Sequence, residues 1–158
     1  MEEKNDIYFM KEALKEAHRA LAADEVPVGA VIVHKGQIIA RAHNQIEMLK
    51  DATAHAEMLA LTSATNHIGN KWLLECSIYV TIEPCSMCAG ALVLSRIPRL
   101  IYGADDPKTG ACGSVVNIIN NAQLNHRIAV KKGVLESDCA SLMKEFFLKK
   151  RQKALPSN

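Results

Sequence analysis

Ile7, Met10, Leu14, Ala17 and Leu21 recur at helical spacing, which predicts an amphipathic helix over residues 6–23. The unbroken apolar run Val28-Gly29-Ala30-Val31-Ile32-Val33 reads instead as a buried strand. His34-Lys35-Gly36 supplies a turn, so residues 37–42 return as the second arm of a hairpin. A polar loop containing Asn44 follows and runs to Asp51 or Thr53, either of which can cap a helix over 54–66. Residues 77–82 are rich in strand formers. Pro84 suits an early position of a helix that holds Cys85 and Cys88 and stops before Pro98. Two further strands are expected at 100–102 and 127–130, and the residues from 104 to 126 between them can hold a short helix, permitting a parallel crossover. A last helix is expected over 137–153. This order predicts a single α/β domain, a mixed sheet of five strands covered by helices.

Composition changes that picture little: the 158 residues are 49% hydrophobic and 23% charged, ordinary for a globular chain. No apolar run approaches a membrane span and the first residues are not a signal peptide. Five cysteines, an odd number, argue against a disulfide framework and for a reduced, cytoplasmic protein. The net charge of +2 is uneven, because residues 144–153 alone carry five basic side chains and one acid. Such an end fits either a local polyanion contact or a solvated last helical turn whose dipole favours cations.

The chemistry lies in two short segments, His55-Ala56-Glu57 and Pro84-Cys85-Ser86-Met87-Cys88. Structural zinc closes its tetrahedron with four Cys or His ligands, whereas catalytic zinc keeps one position for water. His55, Cys85 and Cys88 fill three positions, and Glu57 stands ready beside the fourth. Two cysteines three apart at a helix start share a face, and the helix N-terminus favours the thiolate that coordinates. Residues two apart on a regular helix diverge, so His55 and Glu57 can face one site only where the helix begins. By itself the Cys-x-x-Cys pair equally fits a thioredoxin-like redox motif, and a lone His near a helix start is usually structural. The two segments together fit one zinc ion per subunit. There zinc lowers the pKa of water to roughly 7 and Glu57 handles the protons.

His-x-Glu followed by Pro-Cys-x-x-Cys resembles the zinc-dependent cytidine and deoxycytidylate deaminase superfamily. Over nearly its whole length the chain is similar to the bacterial tRNA-specific adenosine deaminases. The shared stretches include residues 25–31, 53–57, 79–85, 87–91 and 108–111, Asn125-His126-Arg127, and the Phe146-Phe147 pair. The resemblance implies a three-layer α/β/α cytidine-deaminase-like fold in one deaminase domain over 1–158. It implies conversion of adenosine to inosine at the anticodon wobble position, by a hydroxide on zinc with Glu57 as proton shuttle.

By the same resemblance, Asn44 hydrogen-bonds the flipped nucleoside, Val28 packs against it, and Asp106 contacts the nucleotide backbone. Lys108, Lys149, Lys150 and Arg151 meet phosphate of a tRNA anticodon stem-loop, and the enzyme is a homodimer whose subunits jointly form the anticodon-loop site. Asp106 could equally cap its loop, and Phe147 could stack on a base or, the ordinary expectation, pack in the core. Asp105 stands where one family member has a basic residue, and the usual Asp-Pro before the His motif is altered, Asp51 being followed by Ala52. Two other functions share parts of these features. A deaminase of free bases or nucleosides needs the zinc and Glu57 but no basic end. A nucleic-acid-binding module with structural zinc needs a fourth ligand from Cys76, Cys112 or Cys139, which are otherwise core thiols.

Overall fold

The computed structural model describes residues 2–154, so Met1 and residues 155–158 lie outside it. The elements run α1 (Glu2–Ala22), β1 (Gly29–His34), β2 (Gln37–His43), α2 (Ile46–Leu49), α3 (Ala56–Ile68), β3 (Cys76–Ile82), α4 (Ser86–Leu94), β4 (Arg99–Ala104), β5 (Ala129–Lys132) and α5 (Glu136–Ala154). The five strands form one sheet in the order β2-β1-β3-β4-β5. β1 is antiparallel to β2 and to β3, while β3, β4 and β5 run parallel. Helices α1 and α5 cover one face, and α3 and α4 cover the other. The mixed sheet in three layers follows the sequence expectation.

Strand alternation explains the layers. Ala30, Val80 and Tyr102 lie side by side in register, so they share one face of the sheet. Gly29 and Gly103 point to the other, where the helices come too close for a side chain. A Cβ on Gly29 would overlap the α1 backbone at Ala13 and Ala17, and one on Gly103 would overlap Cys139 of α5. Both glycines are therefore required by close packing rather than by turn geometry.

Four expectations need correction. Residues 105–128 contain no helix, and the chain crosses from β4 to β5 through turns. Two short bridges, Cys85 with Gly110 and Cys112 with Asn117, organise this stretch. The polar loop after β2 contains the one-turn helix α2, because the buried Glu25 carboxylate accepts the Glu47 and Met48 N–H groups at 2.8 and 3.1 Å. Neither Asp51 nor Thr53 caps α3; Asp51 is bonded to Thr53, and the cap position falls on His55. Pro84 precedes the helix it was expected to enter, since Cys85 takes the cap position of α4.

On α1 the buried stripe is Phe9, Met10, Ala13, Leu14, Ala17 and Ala20, whereas Ile7 is 40% exposed. Asp6 takes the inward place near the helix start. Although it is only 1% exposed, its carboxylate receives Arg99 at 2.8 Å, Lys131 at 3.0 Å and the Tyr79 hydroxyl at 2.6 Å. One acid thus ties α1 to β3, β4 and β5. Burial pushes its carboxyl up, but the bonds from Arg99, Tyr79 and Lys131 outweigh that and hold it at about 2. A carboxyl depressed on folding contributes stability that is complete above its unfolded value of 3.8 and is lost as pH falls towards 2. The cluster should contribute about 2 kcal/mol at neutral pH. Urea midpoints measured from pH 6 to pH 2 should fall more steeply for the parent than for Asp6→Asn. Parallel profiles would mean that the cluster does not contribute through Asp6.

Candidate active site

The antiparallel start of the sheet and its parallel continuation bring several chain segments to one end. Val28 precedes β1, Asn44 follows β2, Glu83 to Cys85 follow β3, and Asp105 to Thr109 follow β4. Ligand sites in parallel sheets form beyond the carboxyl ends of strands for this reason. Each half of the suspected metal motif caps a helix there. His55 is the extended N-cap of α3, with φ −75° and ψ 150°, and Cys85 is that of α4, with φ −75° and ψ 178°. The non-helical backbone at His55 resolves the two-apart problem and lets His55 and Glu57 serve one site.

His55 Nδ1 lies 3.6 Å from Cys85 Sγ and 3.5 Å from Cys88 Sγ. Zinc–nitrogen and zinc–sulfur bonds meeting at a tetrahedral angle give an edge of about 3.6 Å, so the donor set already has the right spacing. Among the described residues these three side chains form a metal-competent group, with all ligand atoms within 4.8 Å of one another. Cys76 and Cys139 are buried in the core, and Cys112 is partly buried beside Pro84. None of the three joins the group, so there is no fourth thiol for a closed structural site.

The local electrostatics suit a cation. The Cys88 thiol and the His55 ring hold the Cys85 thiol down at about 4, against the effect of burial. Cys88 moves the other way, because it donates to Cys85 and is buried. Burial pushes the 4% exposed Glu57 carboxyl up to about 6, opposed by its own backbone N–H and the His55 ring. A carboxyl in that range exchanges protons readily near neutral pH.

Beside this group opens a cleft of about 1010 Å³. Val26, Val28, Ile46 and Ile82 give it an apolar floor, and Asn44, His55, Glu57 and Cys85 face into it. Asn44 is fixed from both ends: its N–H donates to Val28 O at 3.1 Å, and its Oδ1 accepts the Ala56 N–H at 2.7 Å. It thereby supplies the side-chain cap that α3 lacks locally. Asp105, Asp106, Pro107, Lys108 and Thr109 form a second wall. Asp106 does cap this turn, accepting the Lys108 and Thr109 N–H groups at 3.0 and 3.2 Å. Asp105 contacts Tyr102 and Lys132.

The third wall is one stripe of α5. Ala140, Met143, Lys144, Phe147, Lys150, Arg151 and Ala154 repeat every three or four residues and all line the cleft. Phe146 turns into the core, while Phe147 is 45% exposed, so core packing is not its role. Lys149 is off the stripe and pairs with Glu145 at 3.3 Å. Sequence reasoning missed Met143 and Lys144, although their spacing from Phe147 carried the signal. It also missed Glu25 and Glu83, whose partners are distant in the chain and leave no local pattern.

A family model of MafB19-like deaminases matches residues 3–151. The chain is 49% identical over 146 residues to a tRNA-specific adenosine deaminase of Streptococcus pyogenes serotype M18, covering 92% of each chain. It is 47% identical over 156 residues to a tRNA-specific adenosine deaminase of Bacillus subtilis, covering 97% of this chain and 96% of that one. A solved structure from a study of A-to-I editing by tRNA:A34 deaminases at the wobble position of transfer RNA superposes with a TM-score of 0.83. That structure is 44% identical and is covered to 98%, against 85% of this chain.

Proposed function

From the premise that this chain belongs to the MafB19-like deaminase family, we propose that it hydrolyses adenosine to inosine at the wobble position of a tRNA anticodon. The relatives named above support the substrate class. The observation that carries it is the α5 stripe, which adds one exposed aromatic ring and three cations to the cleft that holds the metal-competent group. A free base needs no such surface, whereas a single-stranded loop offers bases to stack and phosphates to neutralise.

His55, Cys85 and Cys88 would hold one zinc ion in this reading. When bound, the ion would supply Lewis acidity and would acidify water. The remaining work falls to the protein. The wobble base is splayed from its stack into the cleft, with Val28 against its face and the Asn44 amide hydrogen-bonding its nucleoside. Glu57 takes a proton from the attacking water and delivers it to the adjacent ring nitrogen. The water oxygen bonds to the ring carbon that carries the amino group. Glu57 then hands the second water proton to that group, which leaves as ammonia, so adenosine and water become inosine and ammonia. Asp106 and Lys108 border the nucleotide backbone, and Phe147 stacks on a base while Lys150 and Arg151 meet phosphate.

The functional unit in this reading is a homodimer whose subunits jointly form the anticodon-loop site. Large apolar side chains left in solvent support it, Leu94 being 78% exposed at the end of α4. No described helix is long and apolar enough to cross a membrane, and the expected location is the cytoplasm.

Purified protein should convert adenosine to inosine in an anticodon stem-loop in preference to free adenosine, cytidine or guanine. Turnover of a free base with none on the stem-loop would overturn the proposal. Affinity across a salt series tests the α5 contacts separately. Replacing Lys150 and Arg151 with Ala should flatten the slope of log affinity against log salt by about 1.4, roughly 0.7 per phosphate contact. Lys149→Ala, off the stripe that lines the cleft and paired with Glu145, should change it less.

A further inference from the structure

Glu83 is a carboxylate between the metal-competent group and the cleft wall, and the chemistry above makes no use of it. It is 3% exposed. Its Oε1 accepts the Asp106 N–H at 3.0 Å and the Ser114 hydroxyl. Its Oε2 accepts the N–H groups of Cys112 at 3.0 Å and Ser114 at 3.1 Å. All four partners are backbone amides or a hydroxyl, and all belong to the segment after β4. Hydrogen bonds to an ionised acceptor are about twice as strong as neutral ones, and three part-buried amides would lose their acceptor together without it.

The donors come from both sides of the turn that forms the cleft wall. Asp106 opens the turn, and Cys112 and Ser114 lie beyond it, so one side chain sets the span between them. The same turn is tied to the ligand segment by Ala111 N–H to Pro84 O at 2.9 Å and by the Gly110–Cys85 bridge. Gly110 has no room for a side chain, because a Cβ there would overlap the Glu83 carboxylate and the Asp106 carbonyl. The wall from Asp105 to Thr109 is thus built on Glu83.

We propose that Glu83 is a positioning residue for substrate: it fixes the Asp105–Thr109 wall at a set distance from the metal site, and so decides how the nucleotides flanking the reacting base dock. This rests on the reading that a nucleotide chain occupies the cleft. Glu83 neither holds the metal nor moves a proton.

The test compares Glu83→Gln, Gly110→Ala and the double variant on the anticodon stem-loop. The amide sets a donor against the N–H groups, and the added methyl pushes the carboxylate away, so both release the same wall. Each should raise KM by about ten-fold or more with kcat within a few-fold, since a displaced docking surface loses binding that ground state and transition state share. Metal content should stay at one equivalent. The double variant should be no worse than the more impaired single variant, because both changes break one contact. Backbone amide exchange should quicken at Asp106, Cys112 and Ser114 but not in α3 or α4. Faster exchange with unchanged KM would overturn the proposal, as would a fall in kcat alone or additive effects. If Glu83→Gln does not fold, Gly110→Ala and Ser114→Ala carry the same comparison. A parent protein inactive on the stem-loop would refute the nucleic-acid reading instead. The KM comparison would then be run on whichever free base or nucleoside the parent accepts, and an unchanged KM there would overturn the role of Glu83 as well.

Discussion

Glu57→Gln should lower turnover of the anticodon stem-loop by at least about 10²–10⁴-fold, the usual contribution of a general acid–base group. The loss should fall at or beyond the upper end, because in the proposed mechanism the same carboxylate serves proton transfers to the ring nitrogen and to the leaving amino group. Stem-loop affinity, metal content and melting temperature should stay near parental values. The amide keeps the shape of a side chain that is 4% exposed, and it removes a group whose charged form burial already disfavours. The comparison uses single-turnover rates, so that binding and product release do not mask the chemical step. Turnover within a factor of a few of the parent would show that Glu57 is a packed structural acid.

Cys88→Ala should abolish both bound metal and turnover. Cys88 is fully buried, its sulfur lies 3.5 Å from His55 Nδ1, and no other thiol of the described chain joins the group to replace it. Parent protein never exposed to chelator should carry about one equivalent of zinc, and chelation should remove activity that added zinc restores. In the proposed site the ion is held by three side chains from two separate helix starts, so its removal should also lower the melting temperature. The metal content and thiol state of the parent separate this reading from the redox alternative. A Cys85–Cys88 disulfide in active parent protein, with metal near zero, would favour the latter.

The donor types, their pairing and the helix starts that hold them were legible in the chain. Such features are local: a cap residue and the turn after it are neighbours in sequence, so His55 before α3 and Cys85 before α4 announce themselves. The strands β1 to β4 were equally readable, because short apolar runs such as 28–33 bounded by turn residues suit a buried strand, whereas the mostly exposed β5 starts two residues later than expected. The expectation of a helix between β4 and β5 failed for a nonlocal reason. That segment hands the amides of Asp106, Cys112 and Ser114 to the carboxylate of Glu83 and that of Ala111 to the Pro84 carbonyl, both from beyond β3, and closes the rest in short turns.

The same division separates the members of the site. Sequence by itself determined the three side chains of the metal-competent group, the nearby carboxylate and the layered α/β order, since residue chemistry and short spacing suffice for these. Tertiary structure decided that Asn44 caps a helix twelve residues away, and that Asp6 rather than Ile7 turns inward. It also decided which cations on α5 line the cleft and which one, Lys149, is spent on Glu145. Those outcomes depend on sheet register and on the rotation of each helix about its axis. Both are fixed by packing between segments far apart in the chain, and no local periodicity encodes them.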